Sequence, residues 1–260
     1  MSSRIVRALV RTCAAAALGL GVGAGTAAAA NFSINPLRVE LDNRHQAEIL
    51  LLHNDSAAPL RLQVETTRWT MDADGTWQTV PTDELIATPL LLEIAANGSA
   101  QLRVGTLTAA SDTERAYRLL INELPGDDDG AQGQVRLRVL TRVSLPVFLE
   151  PAGAKTAPGV AGARFVQGRL HLDLENGGSR RMDPQTTTVT LLDAAGRKLL
   201  RKDVNAAYVL PGAKLPVELA VPAEACRQAR AVRLHLGEDG VDVERAIADE
   251  RSCETGAPSH

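Results

Sequence analysis

The chain has 260 residues, enough for one large or two small domains, and its 28 basic and 31 acidic side chains leave a formal net charge of −3. That balance gives no electrostatic case for a nucleic-acid partner. Aromatic residues make up 3% against 45% for the hydrophobic class, so any core has to be built from Leu, Val, Ile and Ala.

In chain order, residues 1–30 read as a signal peptide. Arg4, Arg7 and Arg11 form a basic start, Ala14 to Gly25 is apolar and small, and Thr26 to Ala30 offers the small residues a signal peptidase needs. Cleavage is expected just before Asn31 or Phe32. The apolar run is short for a spanning helix, and no later stretch is long and apolar enough to cross a bilayer. An exported protein without membrane insertion is expected.

The remainder reads as short strands separated by turn residues, the all-β pattern. Phe32–Leu41 carries Pro36 and suits an edge strand. Glu48–His53, Arg61–Thr70 and Trp77–Val80 follow, the last entered through the Asp72–Gly75 turn. Leu85–Ile94 and Ala100–Val104 come next. Two long arms then flank the acidic loop Gly126–Gly133: Ala116–Pro125 and Gln134–Leu149. In the second arm Val135, Leu137, Val139, Thr141, Val143 and Leu145 share one strand face, with Thr141 the only polar member. Arg136, Arg138, Arg142 and Ser144 fall on the other face.

Pro151–Gly162 is rich in Pro, Gly and Ala and reads as a linker or domain start. Strands are then expected around Leu170–Leu174, Thr186–Leu192, Lys198–Val204, Tyr208–Leu210, Leu215–Val221, Ala231–Leu236 and Val241–Ile247, with a short helix at Pro222–Ala229. Roughly seven strands on each side of Pro151 fit two immunoglobulin-like β-sandwiches. The expected division is a signal peptide (1–30), a first domain (31–151) and a second (152–260).

Cys13 leaves with the signal, so Cys226 and Cys253 are an even pair in an oxidising compartment, and a disulfide between them is expected. His45, His53, His171 and His235 show no ligand spacing, so no metal or other cofactor is expected. No nucleophile elbow or phosphate loop is present, and an enzyme is disfavoured.

Four segments in order carry a family likeness: Phe32–Leu41, Ile86–Pro89, Tyr117–Pro125 and Val143–Pro151. The chain resembles the PapD-like periplasmic chaperones of the chaperone–usher pathway, and specifically their divergent branch, which serves archaic or spore-coat-like pili. The resemblance implies two immunoglobulin-like domains set like a boomerang and a non-enzymatic role in the periplasm. Such a chaperone binds pilin subunits by lending a strand to their incomplete sandwich, a form of β-augmentation, and hands them to an outer-membrane usher. Val135, Leu137, Val139, Thr141 and Val143 are the expected donor residues. Val135, Leu137 and Val139 would each contribute ~1.5–3 kcal/mol if fully buried, before the ordering costs of binding. The same ribbon offers a route to self-association when no subunit is bound, and the bland alternative is that it belongs to the first domain's own core.

The family also anchors the subunit's terminal carboxylate with buried basic side chains, for which Arg gives a bidentate grip. Arg38 matches the first-strand position, and Ser144 stands where many members carry a lysine. Arg118 is the first choice of anchor here, then Arg38 and Arg142. Glu150 inverts the charge many members carry before the interdomain link, so other groups have to make the interdomain contacts. The rival reading is a structural two-domain pilin or adhesin, which would show an incomplete second sandwich.

Overall fold

The computed structural model describes residues 32–72, 74–126, 139–237 and 240–254. The expected signal peptide, most of the acidic loop, and Val135 and Leu137 lie outside the described residues.

Period-two alternation governs the molecule. The first sandwich is built from β1 (Phe32–Asn35), β2 (Val39–Leu41), β3 (Ala47–Asn54), β4 (Leu60–Met71), β5 (Trp77–Pro81), β6 (Leu85–Thr88), β7 (Leu91–Ile94), β8 (Ser99–Thr106), β9 (Arg115–Glu123) and β10 (Arg142–Leu149). One sheet runs β1-β3-β8-β6, the other β2-β10-β9-β4-β5 with β7 joined to β4.

Two segments expected as single elements are each divided at a proline. Around Pro36 the chain leaves one sheet for the other, so β1 pairs with β3 while β2 runs parallel to β10. Around Pro89 it crosses again: β6 pairs with β8 and β7 with β4. A residue with fixed φ and no N–H interrupts a ladder, and here each interruption is a change of sheet.

The second sandwich holds β11 (Pro158–Val166), β12 (Arg169–Asn176), β13 (Gln185–Leu192), β14 (Lys198–Ala206), β15 (Lys214–Ala220), α1 (Ala223–Gln228), β16 (Ala231–Leu236) and β17 (Asp242–Ala246). Its sheets run β11-β12-β15 and β14-β13-β16-β17. Of the two readings of Pro151–Gly162, linker or domain start, its last residues follow the second, because they open β11. The register of β11 against β12 shifts between Ala161 and Arg164, and Gly162 adopts φ +61° there. The small residues that read as a linker form a β-bulge. The expected strand at Tyr208–Leu210 is only an isolated bridge between Met182 and Val209.

The Cys226–Cys253 disulfide is formed, with Cα atoms 5.7 Å apart, and ties the tail to α1. Arg251 reinforces it by donating from Nη1 to Ala229 O at 2.7 Å. No helix among the described residues is long and apolar enough to cross a membrane.

Leu62, Val64, Leu102, Val104, Tyr117, Leu119, Ile121, Leu145, Val147 and Leu149 belong to the first core. The second core, around Leu170, Leu172, Leu174, Val189, Leu191, Val232 and Leu234, also takes in Trp69, Ala116 and Phe148 from the first sandwich. β4 therefore serves two cores. Leu60, Leu62 and Val64 point into its own sandwich, and Trp69, of opposite parity, turns towards the second. β9 and β10 do the same through Ala116 and Phe148, so the β10-β9-β4 sheet is buried on both faces where the sandwiches meet.

Candidate functional site

β10 pairs antiparallel with β9 along its whole length, from Arg142 opposite Asn122 to Leu149 opposite Arg115. On its other side, β2 pairs only with Val147, Phe148 and Leu149. Among the described residues, β10 from Arg142 to Pro146 thus has one edge without a strand neighbour. Unpaired backbone groups along an edge are a template for another chain.

Thr141 extends this ladder by one step. Its N–H donates to Glu123 Oε2 at 3.0 Å, and its carbonyl accepts from Glu123 N at 2.9 Å. The expected strand through Val139 does not form in the described residues, where Val139 and Leu140 precede β10 and Val139 is exposed. Val143 packs against the first core. The odd-numbered residues of the arm thus face their own sandwich from Val143 to Leu149.

Arg118 lies on β9, opposite Pro146 and Thr67, on the face turned away from the first core. Tyr117 beside it points inward and donates its hydroxyl to Glu84 Oε2 at 2.6 Å, and burial pushes its pKa up to about 12. Arg118 is buried at 7% exposure, and its guanidinium carbon stands 3.8 Å from the Trp69 ring centroid, 4.6 Å from that of Trp77 and 6.0 Å from that of Tyr208. Burial lowers its pKa to about 10, which leaves it charged at neutral pH. Cation–π contact offsets part of that desolvation. Its Nη2 has no hydrogen-bond partner among the described residues. Trp77 is carried by the edge strand β5. The turn before it comes so close to β15 that a Cβ on Gly75 would meet Pro216 Cδ at 2.5 Å.

A second arginine in the junction has the opposite surroundings. Arg181, from the second sandwich, has a fully buried side chain. It bonds Glu114 at 2.5 Å, Asp183 at 3.0 Å and Glu40, with Glu150 at 3.8 Å, and lies 3.7 Å over the Phe148 ring. Burial pushes the Glu114 carboxyl up, against the pull of the Arg181 charge. Arg180 adds a pair to Glu150 at 3.2 Å. These are the groups that meet Glu150, whose partners the sequence did not identify.

The three expected anchors are therefore dispersed. Arg118 is buried among rings. Arg38 is half exposed and paired with Glu40 at 3.2 Å and Asp183 at 3.1 Å, as part of the Arg181 network. Arg142 is exposed at the start of β10, as is Ser144. Sequence reasoning missed Trp69, Trp77 and Tyr208. Their rarity was the available signal: the chain has two Trp and two Tyr, and three of these four surround Arg118.

Residues 31–155 match the family described as pili and flagellar-assembly chaperone, PapD N-terminal domain. No curated protein matches the chain in sequence. Among solved structures, it is similar to a chain of the CsuC–CsuE chaperone–tip adhesion subunit pre-assembly complex from archaic Csu pili of Acinetobacter baumannii. That match has 20% identity, covers 85% of this chain and 100% of that one, and has a TM-score of 0.58. The class 5 fimbriae chaperone CfaA is similar at 14% identity, with 85% and 100% coverage and a TM-score of 0.58. A chain of the Salmonella enterica SafA pilin–SafB chaperone complex is similar at 15% identity, with 84% and 97% coverage and a TM-score of 0.55. At these identities the likeness establishes the fold, two β-sandwiches in an all-β chain. Residues 31–155 are thus a PapD N-terminal domain of the kind found in pili and flagellar-assembly chaperones.

Proposed function

We propose that the protein is a periplasmic chaperone that captures pilin subunits by donor-strand complementation and delivers them to an outer-membrane usher. In this reading residues 1–30 are removed on export, residues 31–151 form the strand-lending domain and residues 152–260 the second domain. The observation that carries the proposal is the open edge of β10 from Arg142 to Pro146, continuous with the alternating run that precedes it. A subunit strand added there gains backbone hydrogen bonds, and Val135, Leu137, Val139 and Thr141 supply side chains at every second position, while Val143, also expected as a donor, packs against the first core. The reaction is binding and exchange, with no bond made or broken. Arg118 is the anchor for the subunit's terminal carboxylate, supported by its burial and its unpaired Nη2. Arg38 and Arg142 rank below it: Arg38 already has two acid partners, and Arg142 is exposed. The solved relatives that contain a pilin or tip subunit are consistent with this partner class.

The test is co-expression with the cognate pilin subunit and recovery of the complex from the periplasm. Leu137→Asp combined with Val139→Asp is expected to abolish recovery while the chaperone remains folded and abundant. Undiminished recovery with the double variant would overturn the donor-strand reading.

A further inference from the structure

Two buried donors share the Arg118 site, and the inference drawn from them rests on reading that site as a carboxylate anchor. Arg118 Nη2 and Trp69 Nε1 are both buried with no hydrogen-bond partner among the described residues. Their side chains belong to residues only 7% and 1% exposed. A folded protein rarely leaves two neighbouring donors unpaired, because each carries its full desolvation cost. Two donors on one stack suit an acceptor with two oxygens.

The covering group is equally specific. The Trp77 ring lies 4.7 Å from that of Trp69 and 4.6 Å from the Arg118 guanidinium carbon, while Tyr208 contributes a wall from the second sandwich. Trp77 itself is 44% exposed, and all five residues of its strand β5 are exposed. β5 lies at the end of its sheet and pairs with β4 alone. Trp77 is thus the wall of the site that is least held by packing.

We propose that Trp77 is a lid over a two-donor carboxylate clamp made by Arg118 and Trp69, closed in the free protein by its tilted contact with Trp69 and by its contact with the Arg118 guanidinium, and displaced when a peptide's terminal carboxylate binds. The clamp carries one positive charge and one neutral donor, matching a monoanion without a second basic residue. That accounts for an anchor lacking the lysine expected at Ser144. A closed lid lowers apparent affinity by the fraction of molecules that are shut, so its removal tightens binding.

Both tryptophans of the chain are in the site, so intrinsic fluorescence reports on it directly. The mature protein is titrated at constant ionic strength with N-acetyl-dialanine bearing a free carboxylate, and separately with its C-terminal amide. Thermal melts check that each variant is folded. The acid is expected to change the emission and the amide to leave it unchanged. Trp77→Ala should tighten acid binding roughly threefold to tenfold. Trp69→Phe, which keeps a ring and loses the N–H, should weaken it about tenfold, and Arg118→Met should abolish it. Equal responses to acid and amide, or no tightening in Trp77→Ala, would overturn the proposal. Failure of the clamp is separable from failure of the chaperone reading. Pilin capture at unchanged affinity by Arg118→Met removes the clamp and leaves the chaperone. Acid binding with the expected variant pattern but no pilin capture removes the chaperone and leaves the clamp.

Discussion

Arg118 and Arg181 are both buried where the two sandwiches meet, and the fold treats them in opposite ways. Arg181 is enclosed by Glu40, Glu114, Glu150 and Asp183 and lies over Phe148. Arg118 has aromatic rings and no acid in contact among the described residues. A buried cation with acid partners joins elements of the same molecule, and one without them retains its capacity for an outside anion. On the proposed reading, the comparison separates a structural arginine from a receptive one without appeal to sequence position.

The sharpest way to break this distinction is to remove each cation in turn. Arg181→Met leaves the buried Glu114 and its neighbours unpaired and should cost about 3–5 kcal/mol in urea unfolding. A loss below about 1 kcal/mol would mean that the network is not structural. The Cys226–Cys253 bridge provides an intermediate scale that involves neither arginine. Replacing both cysteines with alanine should cost about 2–4 kcal/mol and leave carboxylate binding intact. Tyr117→Phe tests the residue next to Arg118 on the opposite face and should cost about 1–2 kcal/mol at neutral pH. Its pH dependence has a definite sign. The Tyr117 hydroxyl is the main group holding the Glu84 carboxyl below its ordinary value of 4.5. The stability this adds is fully present above that value and is lost as pH falls through the lower folded value. Wild type and Tyr117→Phe should therefore converge in acid, which melts recorded across that range would show. The smallest stability effect is expected for Arg118→Met, within about 1 kcal/mol of wild type or slightly stabilising, because it removes a desolvated charge with no acid partner. Subunit capture should nonetheless fall sharply.

Much of the fold was legible because alternation is a local property. The apolar phases of Leu62 and Val64, Leu170 to Leu174, and Val143 to Leu145 give the strands and their buried faces directly. Pro36 and Pro89 were visible as interruptions, but a change of sheet depends on which strands accept the two halves, and that is non-local. β11 was hidden because Gly159 and Gly162 have the composition of a linker. At the site, Arg118 stood out as a charge inside an apolar strand. Arg181 did not, since it follows Gly177-Gly-Ser-Arg180 and reads as loop. Its burial depends on Glu40 and Glu114, which are far away in the chain. Trp69 and Trp77 were visible as rare residues, yet nothing local aims both rings at position 118.

The approach of Gly75 to Pro216 ties the β4–β5 hairpin to the second sandwich. The hairpin rests its tip there while its edge strand carries the Trp77 ring beside Arg118. A side chain at position 75 would meet Pro216 on a backbone at φ +81°, so on the proposed lid reading Gly75→Ala should change carboxylate binding from a position outside the clamp.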